Sequence, residues 1–190
     1  MSHPAIMGQD IDRSSVPDYP LQLATTIVEQ STCKDGGFRL IVRLRYTNTG
    51  PQRIILYKHN DFVRVTVSKS EEAAAEGKYE YERRRDLYDF IGDDPGGPSP
   101  GKQFVILDPG KSYETGTDFS QEPVYIYKRL SRGRHVLRVE VSTWDAPQVL
   151  GEELSKGWRK YGALWRKPLT SLPMPFTIEK NAKVIPCEGF

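Results

Sequence analysis

Cysteine is scarce: the 190-residue sequence holds two, Cys33 and Cys187. That excludes a disulfide-dense scaffold and any C-x-x-C metal or redox motif. One bridge between them stays open, as does a pair of unrelated thiols. Long apolar runs are missing too. None reaches the roughly 18 residues of a membrane-spanning helix, so the expected chain is soluble. Met1 to Ser15 lacks a basic start followed by a hydrophobic core, and no targeting segment is read there. Cellular location is undetermined, with export an open alternative if a signal peptide has been trimmed. Charge of one sign is also lacking. The 27 basic and 25 acidic residues give a formal net charge of +2, far from the strongly basic balance of a dedicated nucleic-acid binder. No sequence-specific nucleic-acid recognition is expected, and charge-driven binding must be local.

Catalytic signatures are absent in the same sense. There is no G-x-S-x-G, no H-E-x-x-H and no Cys–His arrangement, so a hydrolase would have to be assembled from unmarked residues. Gly96-Gly97-Pro98-Ser99-Pro100-Gly101-Lys102-Gln103 nearly spells a phosphate-binding loop. It fails because Gln103 replaces the magnesium-binding hydroxyl, two prolines offer no N–H, and a strand follows at Phe104. Asp86, Asp89, Asp93 and Asp94 lack calcium-loop spacing and read as solvated carboxylates beside Arg83, Arg84 and Arg85. His3, His59 and His135 are too scattered for a zinc site, and His135 reads as a rim residue ahead of a strand. No catalytic residue, metal or cofactor is expected, and no solenoid-type repeat is found.

What the sequence has is alternation. Phe38, Leu40, Val42, Leu44 and Tyr46 fall on one face and Arg39, Arg43, Arg45 and Thr47 on the other, the period of a half-buried strand. Further strands are predicted over Leu21–Gln30, Arg53–Tyr57, Phe62–Ser68, Phe104–Leu107, Ser112–Phe119, Tyr125–Arg129, Val136–Thr143 and Phe176–Ile185. Their separators are turn-forming, as in Asp35-Gly36-Gly37, Asn48-Thr49-Gly50-Pro51 and Asp108-Pro109-Gly110. Two packed antiparallel sheets follow, with Val63, Val65, Val67, Leu137, Val139 and Val141 turned inward. Ten Tyr, seven Phe and three Trp supply large buried areas to a core in which apolar residues are only 37% of the chain. Met1 to Pro20 has no periodic pattern and reads as a loose arm.

Four segments in order, Tyr46-Thr47-Asn48-Thr49-Gly50, Asp61-Phe62-Val63-Arg64-Val65, Leu107-Asp108-Pro109-Gly110-Lys111-Ser112-Tyr113 and Leu130-Ser131-Arg132-Gly133-Arg134-His135-Val136-Leu137-Arg138-Val139, carry a family likeness. The chain resembles the bacterial immunoglobulin-like sandwiches, including the intracellular proteinase inhibitor family. The match runs from about Phe38 to Thr143 with one excursion removed. It implies an all-β, immunoglobulin-like antiparallel β-sandwich over 21–190, with insertions at 71–102 and 144–175, one of them carrying a short helix. These motifs specify a fold more than an activity. Protease inhibition is an implied alternative, with no inhibitory loop residue matched. In an immunoglobulin-like order the first and last strands run toward the same end, which would bring Cys33 and Cys187 together.

The candidate site lies in the second insertion. Leu150, Leu154, Trp158, Tyr161 and Trp165 recur at helical spacing, weakened by Gly157 and Gly162. Among them Lys156, Trp158, Arg159, Lys160, Tyr161, Trp165, Arg166 and Lys167 concentrate cations and aromatics, which suits an acidic protein partner, a membrane surface or a polyanion. The alternative is that the aromatics cover the end of the sandwich while the cations stay in water. The functional expectation is a non-catalytic binding or protein-interaction module acting through 156–167, with a protease-inhibitor-like domain and an uncharacterised hydrolase as alternatives.

Overall fold

The computed structural model describes residues 20–58, 62–86, 97–115, 122–126, 128–142, 148–179 and 183–187. The arm up to residue 19, His3, His59, Asp89, Asp93, Asp94, Trp144 and the 116–119 end of the expected Ser112–Phe119 strand lie outside them. The chain is β-rich. Its strands are β1 (Leu21–Cys33), β2 (Phe38–Asn48), β3 (Ile54–Tyr57), β4 (Phe62–Ser68), β5 (Tyr81–Asp86), β6 (Phe104–Leu107), β7 (Ser112–Glu114), β8 (Glu122–Ile126), β9 (Gly133–Ser142), β10 (Ala163–Leu164), β11 (Leu169–Thr170), β12 (Met174–Ile178) and β13 (Val184–Ile185), with helices α1 (Glu71–Ala75) and α2 (Gln148–Gly157).

Turn chemistry sets the first hairpin. Gly36 takes a left-handed φ of 87°, open to glycine at little steric cost, and Gly37 N donates to Asp35 Oδ1 at 2.9 Å. β2 then pairs along the length of β1, with a register shift between Ile27 and Glu29, as a β-bulge produces. The first sheet runs β13-β1-β2-β7, with β8 also on β2. A second is β10-β3-β6, and a third is β11-β9-β4-β5 with β12 also on β9. Among the described strands, pairings are antiparallel except β13 on β1 and β10 on β3, and an isolated parallel bridge joins Leu23 to Ser171.

One apolar core joins all three sheets. Leu40, Val42 and Tyr46 of the first, Leu56 and Leu107 of the second, and Val67, Leu137 and Val141 of the third belong to the same buried cluster. β3 is buried on both faces. Ile54 and Leu56 enter the main core, whereas Ile55 joins Phe104, Leu154 and Trp158 in a smaller cluster beneath α2. Asn48 fastens the corner. Its Nδ2 donates to the carbonyls of Gln52 and Leu107, its Oδ1 accepts from Gly50 N, and its own carbonyl accepts from Gly110 N. A fully buried amide is tolerable because those groups are satisfied.

Several boundaries differ from expectation. The Phe176–Ile185 strand divides into β12 and β13, and the Tyr125–Arg129 strand is β8, ending at Ile126. Both insertions carry helices, and both add strands to the sheets: β5 pairs with β4, β10 with β3 and β11 with β9. β5 ends its sheet's strand order, and Arg83 and Arg84 on it are exposed, a cationic edge that discourages further strand pairing. Cys33 and Cys187 are joined by a disulfide, with Cα atoms 5.2 Å apart. The bridge holds β13 parallel to the end of β1, where Thr32 N donates to Lys183 O and Lys34 N to Ile185 O. Among the described residues no helix is long and apolar enough to cross a membrane.

Candidate functional site

Helix α2 ends at Gly157, so the helical stripe stops before Trp165. This corrects the expectation of one helix carrying both tryptophans. Trp158 N still donates to Leu154 O, and the side chain, 1% exposed, enters the smaller core. Its ring meets Phe104 edge-on at 4.9 Å between centroids. Its Nε1 donates to Gly97 O at 2.9 Å, which satisfies the buried indole. The chain then turns through Tyr161 and Gly162, whose amides both donate to Trp158 O.

Gly162 is needed for closeness. A Cβ there would lie 2.8 Å from Arg53 O. Without one, β10 docks parallel to β3, and Ala163 N donates to that same carbonyl at 2.9 Å. Trp165 N donates to Ile55 O, and the Trp165 side chain packs into the main core. The tryptophans are therefore clamps at either end of a short loop.

Between the clamps the loop presents its cations. Arg159 and Lys160 are exposed and Tyr161 is half-buried. With Gln52, Arg53, Gly162 and Ala163 they line an open cavity of about 450 Å³. Lys160 Nζ sits 5.0 Å from the centre of the Tyr161 ring, within cation–π range. Arg53 Nε donates to Asp108 Oδ1 at 2.7 Å, a solvent-exposed pair contributing little to stability. No ion pair joins Arg159 or Lys160 to a carboxylate among the described residues, so their charge faces the cavity mouth uncompensated.

Of the eight residues singled out in sequence, the cavity gathers Arg159, Lys160 and Tyr161. Lys156 is exposed on the last turn of α2, and Lys167 is exposed beyond Trp165. Arg166 lies over α2, where a Cβ on Gly151 would meet its guanidinium carbon at 2.5 Å. Gln52 and Arg53 were missed, because their approach depends on a two-residue parallel pairing more than 100 positions away in the chain.

A second polar cluster was also missed. His135 belongs to β9 and is buried, not at a rim. Its ring rests 5.4 Å from that of Phe176. Its Nε2 lies 2.8 Å from Glu80 Oε2 and its Nδ1 3.0 Å from Gly133 O. Ser131 Oγ donates to Glu80 Oε1, and Lys69 Nζ contacts both Ser131 and Glu80. Serine, histidine, lysine and glutamate thus meet, but in the wrong order for nucleophilic catalysis. The histidine faces the carboxylate instead of the hydroxyl, and an ion-paired ammonium has no lone pair with which to take a proton. The cluster ties the 76–80 loop to β9.

Among the described residues no group of three or more His, Cys, Asp or Glu side chains is placed to hold a metal ion. No family model matches the chain, and no curated protein matches it.

Proposed function

We propose that this chain is an immunoglobulin-like, non-catalytic binding module whose cavity beside β3 and β10 receives an acidic segment of another protein. The observation that carries this reading is the placement of Arg159 and Lys160, exposed and without a carboxylate partner among the described residues, at the mouth of a cavity of about 450 Å³, within the size range of ligand sites. Burial of both tryptophans favours a protein over the other partners. Insertion into a membrane surface uses exposed apolar side chains, and single-stranded nucleic acid uses exposed aromatic platforms. Trp158 and Trp165 offer neither. A carboxylate-rich segment needs only the cations and a concave seat, gaining rate and specificity from charge complementarity.

The test uses acetyl-(Glu-Gly)4-amide as probe, with its Gln counterpart as control. The acidic peptide should bind, and binding should weaken steadily between about 0.1 and about 1 M salt, as the screening length falls from about 10 Å to about 3 Å. Charge reversal by Arg159→Glu with Lys160→Glu should weaken it about tenfold or more. Equal binding of the Gln peptide, or binding of anionic vesicles without binding of the peptide, would overturn the proposal.

A further inference from the structure

The outer face of the third sheet carries a second cleft that shares no residue with the cationic cavity. Along β4 and β9 the odd-numbered residues enter the core, so Arg64, Thr66, Arg138 and Glu140 point the other way. Register sets Arg64 opposite Glu140 and Thr66 opposite Arg138. With Tyr79 and Thr170 these side chains line a cleft of about 180 Å³.

The two arginines differ in their partners. Arg64 is fully engaged: Nε and Nη2 both lie 2.8 Å from Glu82 Oε1, and Nη1 lies 3.3 Å from Glu140 Oε2. Those hydrogen bonds, Glu82 foremost, hold its guanidinium pKa above the ordinary arginine value. Arg138 pairs with no carboxylate among the described residues, and its buried Nε meets no acceptor there. A buried donor left unmatched is a standing penalty in the free protein. Arg138 lines the cleft, and a carboxylate seated there would give this donor an acceptor once a small turn of the side chain brings Nε to it.

We propose that this cleft binds a single carboxylate group, anchored by the Arg138 guanidinium and flanked by Thr66, Tyr79 and Thr170. A guanidinium fork matches a planar carboxylate. One uncompensated positive charge, with Glu140 already in the wall, suits a monoanion and opposes a phosphate dianion. The volume lies below that of whole-ligand sites, so the occupant is the size of acetate or of one Asp or Glu side chain. This site does not rest on the cavity at Arg159 and Lys160, which the test leaves intact.

The intact protein, labelled with ¹⁵N, is titrated with sodium acetate against chloride at constant ionic strength while the Arg138 Nε–H resonance is followed. Parallel arms use inorganic phosphate, acetyl-Gly-Glu-Gly-amide and its Gln analogue. Saturable shifts at Arg138, Thr66 and Thr170 with acetate are expected, and weaker binding of phosphate. The Glu peptide binding more tightly than acetate would assign the site to a partner's side chain, and equal or weaker binding to a small free acid. Arg138→Gln, read at Thr66 and Thr170, should abolish the acetate-dependent shifts there. Arg138→Lys, which keeps the charge but loses the fork, should weaken acetate binding several-fold, with the amide spectrum reporting folding of each variant. A chloride-like response to acetate, stronger binding of phosphate, or full retention in either folded variant would overturn the assignment.

Discussion

Leu137 is completely buried and Val139 nearly so, whereas Arg138 between them is half-buried on the opposite face of β9. Truncation should read out that alternation. Leu137→Ala and Val139→Ala are expected to destabilise by about 2–4 kcal/mol each, through lost burial and the cavities left behind. Arg138→Ala should cost about 1 kcal/mol or less, since no described partner loses a bond to it. Denaturant melts decide, and equal losses at 137 and 138 would contradict the register. These residues were legible because a period of two, sustained along a ten-residue strand, has one consistent solution. His135 was not. Its burial depends on Glu80, which reaches it from another segment, and no local pattern announces a carboxylate arriving from 55 positions away. The Trp158 site was half legible: Leu154 and Trp158 do share a helical face, but the same spacing fits a core stripe and an exposed one.

At the scale of elements, length governed what could be read. The long strands β1, β2, β4 and β9 match alternation bounded by turn residues. β10, β11 and β13 have two residues each, too few to show any period. β5 was masked by its run of arginines, which looks like a solvated loop and is a charged edge strand. The disulfide acts at this scale. Among the described residues two pairs join β13 to β1, and the bridge adds a covalent tether to that short pairing. It joins residues 154 positions apart, for which the chain-entropy model gives about 5 kcal/mol of stabilisation. Reduction should therefore lower the denaturation midpoint and speed amide exchange at Thr32 and Lys34, whose amides donate into that strand. Unchanged melting and unchanged exchange in reductant would show that the packing of β13 holds without the bridge.

For the whole molecule, a net charge of only +2 gives little diffuse electrostatic attraction, so the binding proposed above rests on local groups. The fold supplies them through a division of labour across one short loop. Trp158 and Trp165 hold it to two different apolar clusters, and Arg159 and Lys160 lie exposed between them. The sequence pattern exposed the mixture of cations and aromatics without showing which half faces water. That division is tested most directly by measuring, on the same samples, thermal stability and binding of the acidic peptide per folded molecule in Trp158→Phe and in Arg159→Glu with Lys160→Glu. The account predicts that Trp158→Phe melts earlier, having lost its indole bond to Gly97 and some packing, yet binds like the parent protein. The double charge reversal should melt like the parent and fail to bind. Folded Trp158→Phe that fails to bind, beside a charge-reversed protein that still does, would contradict it.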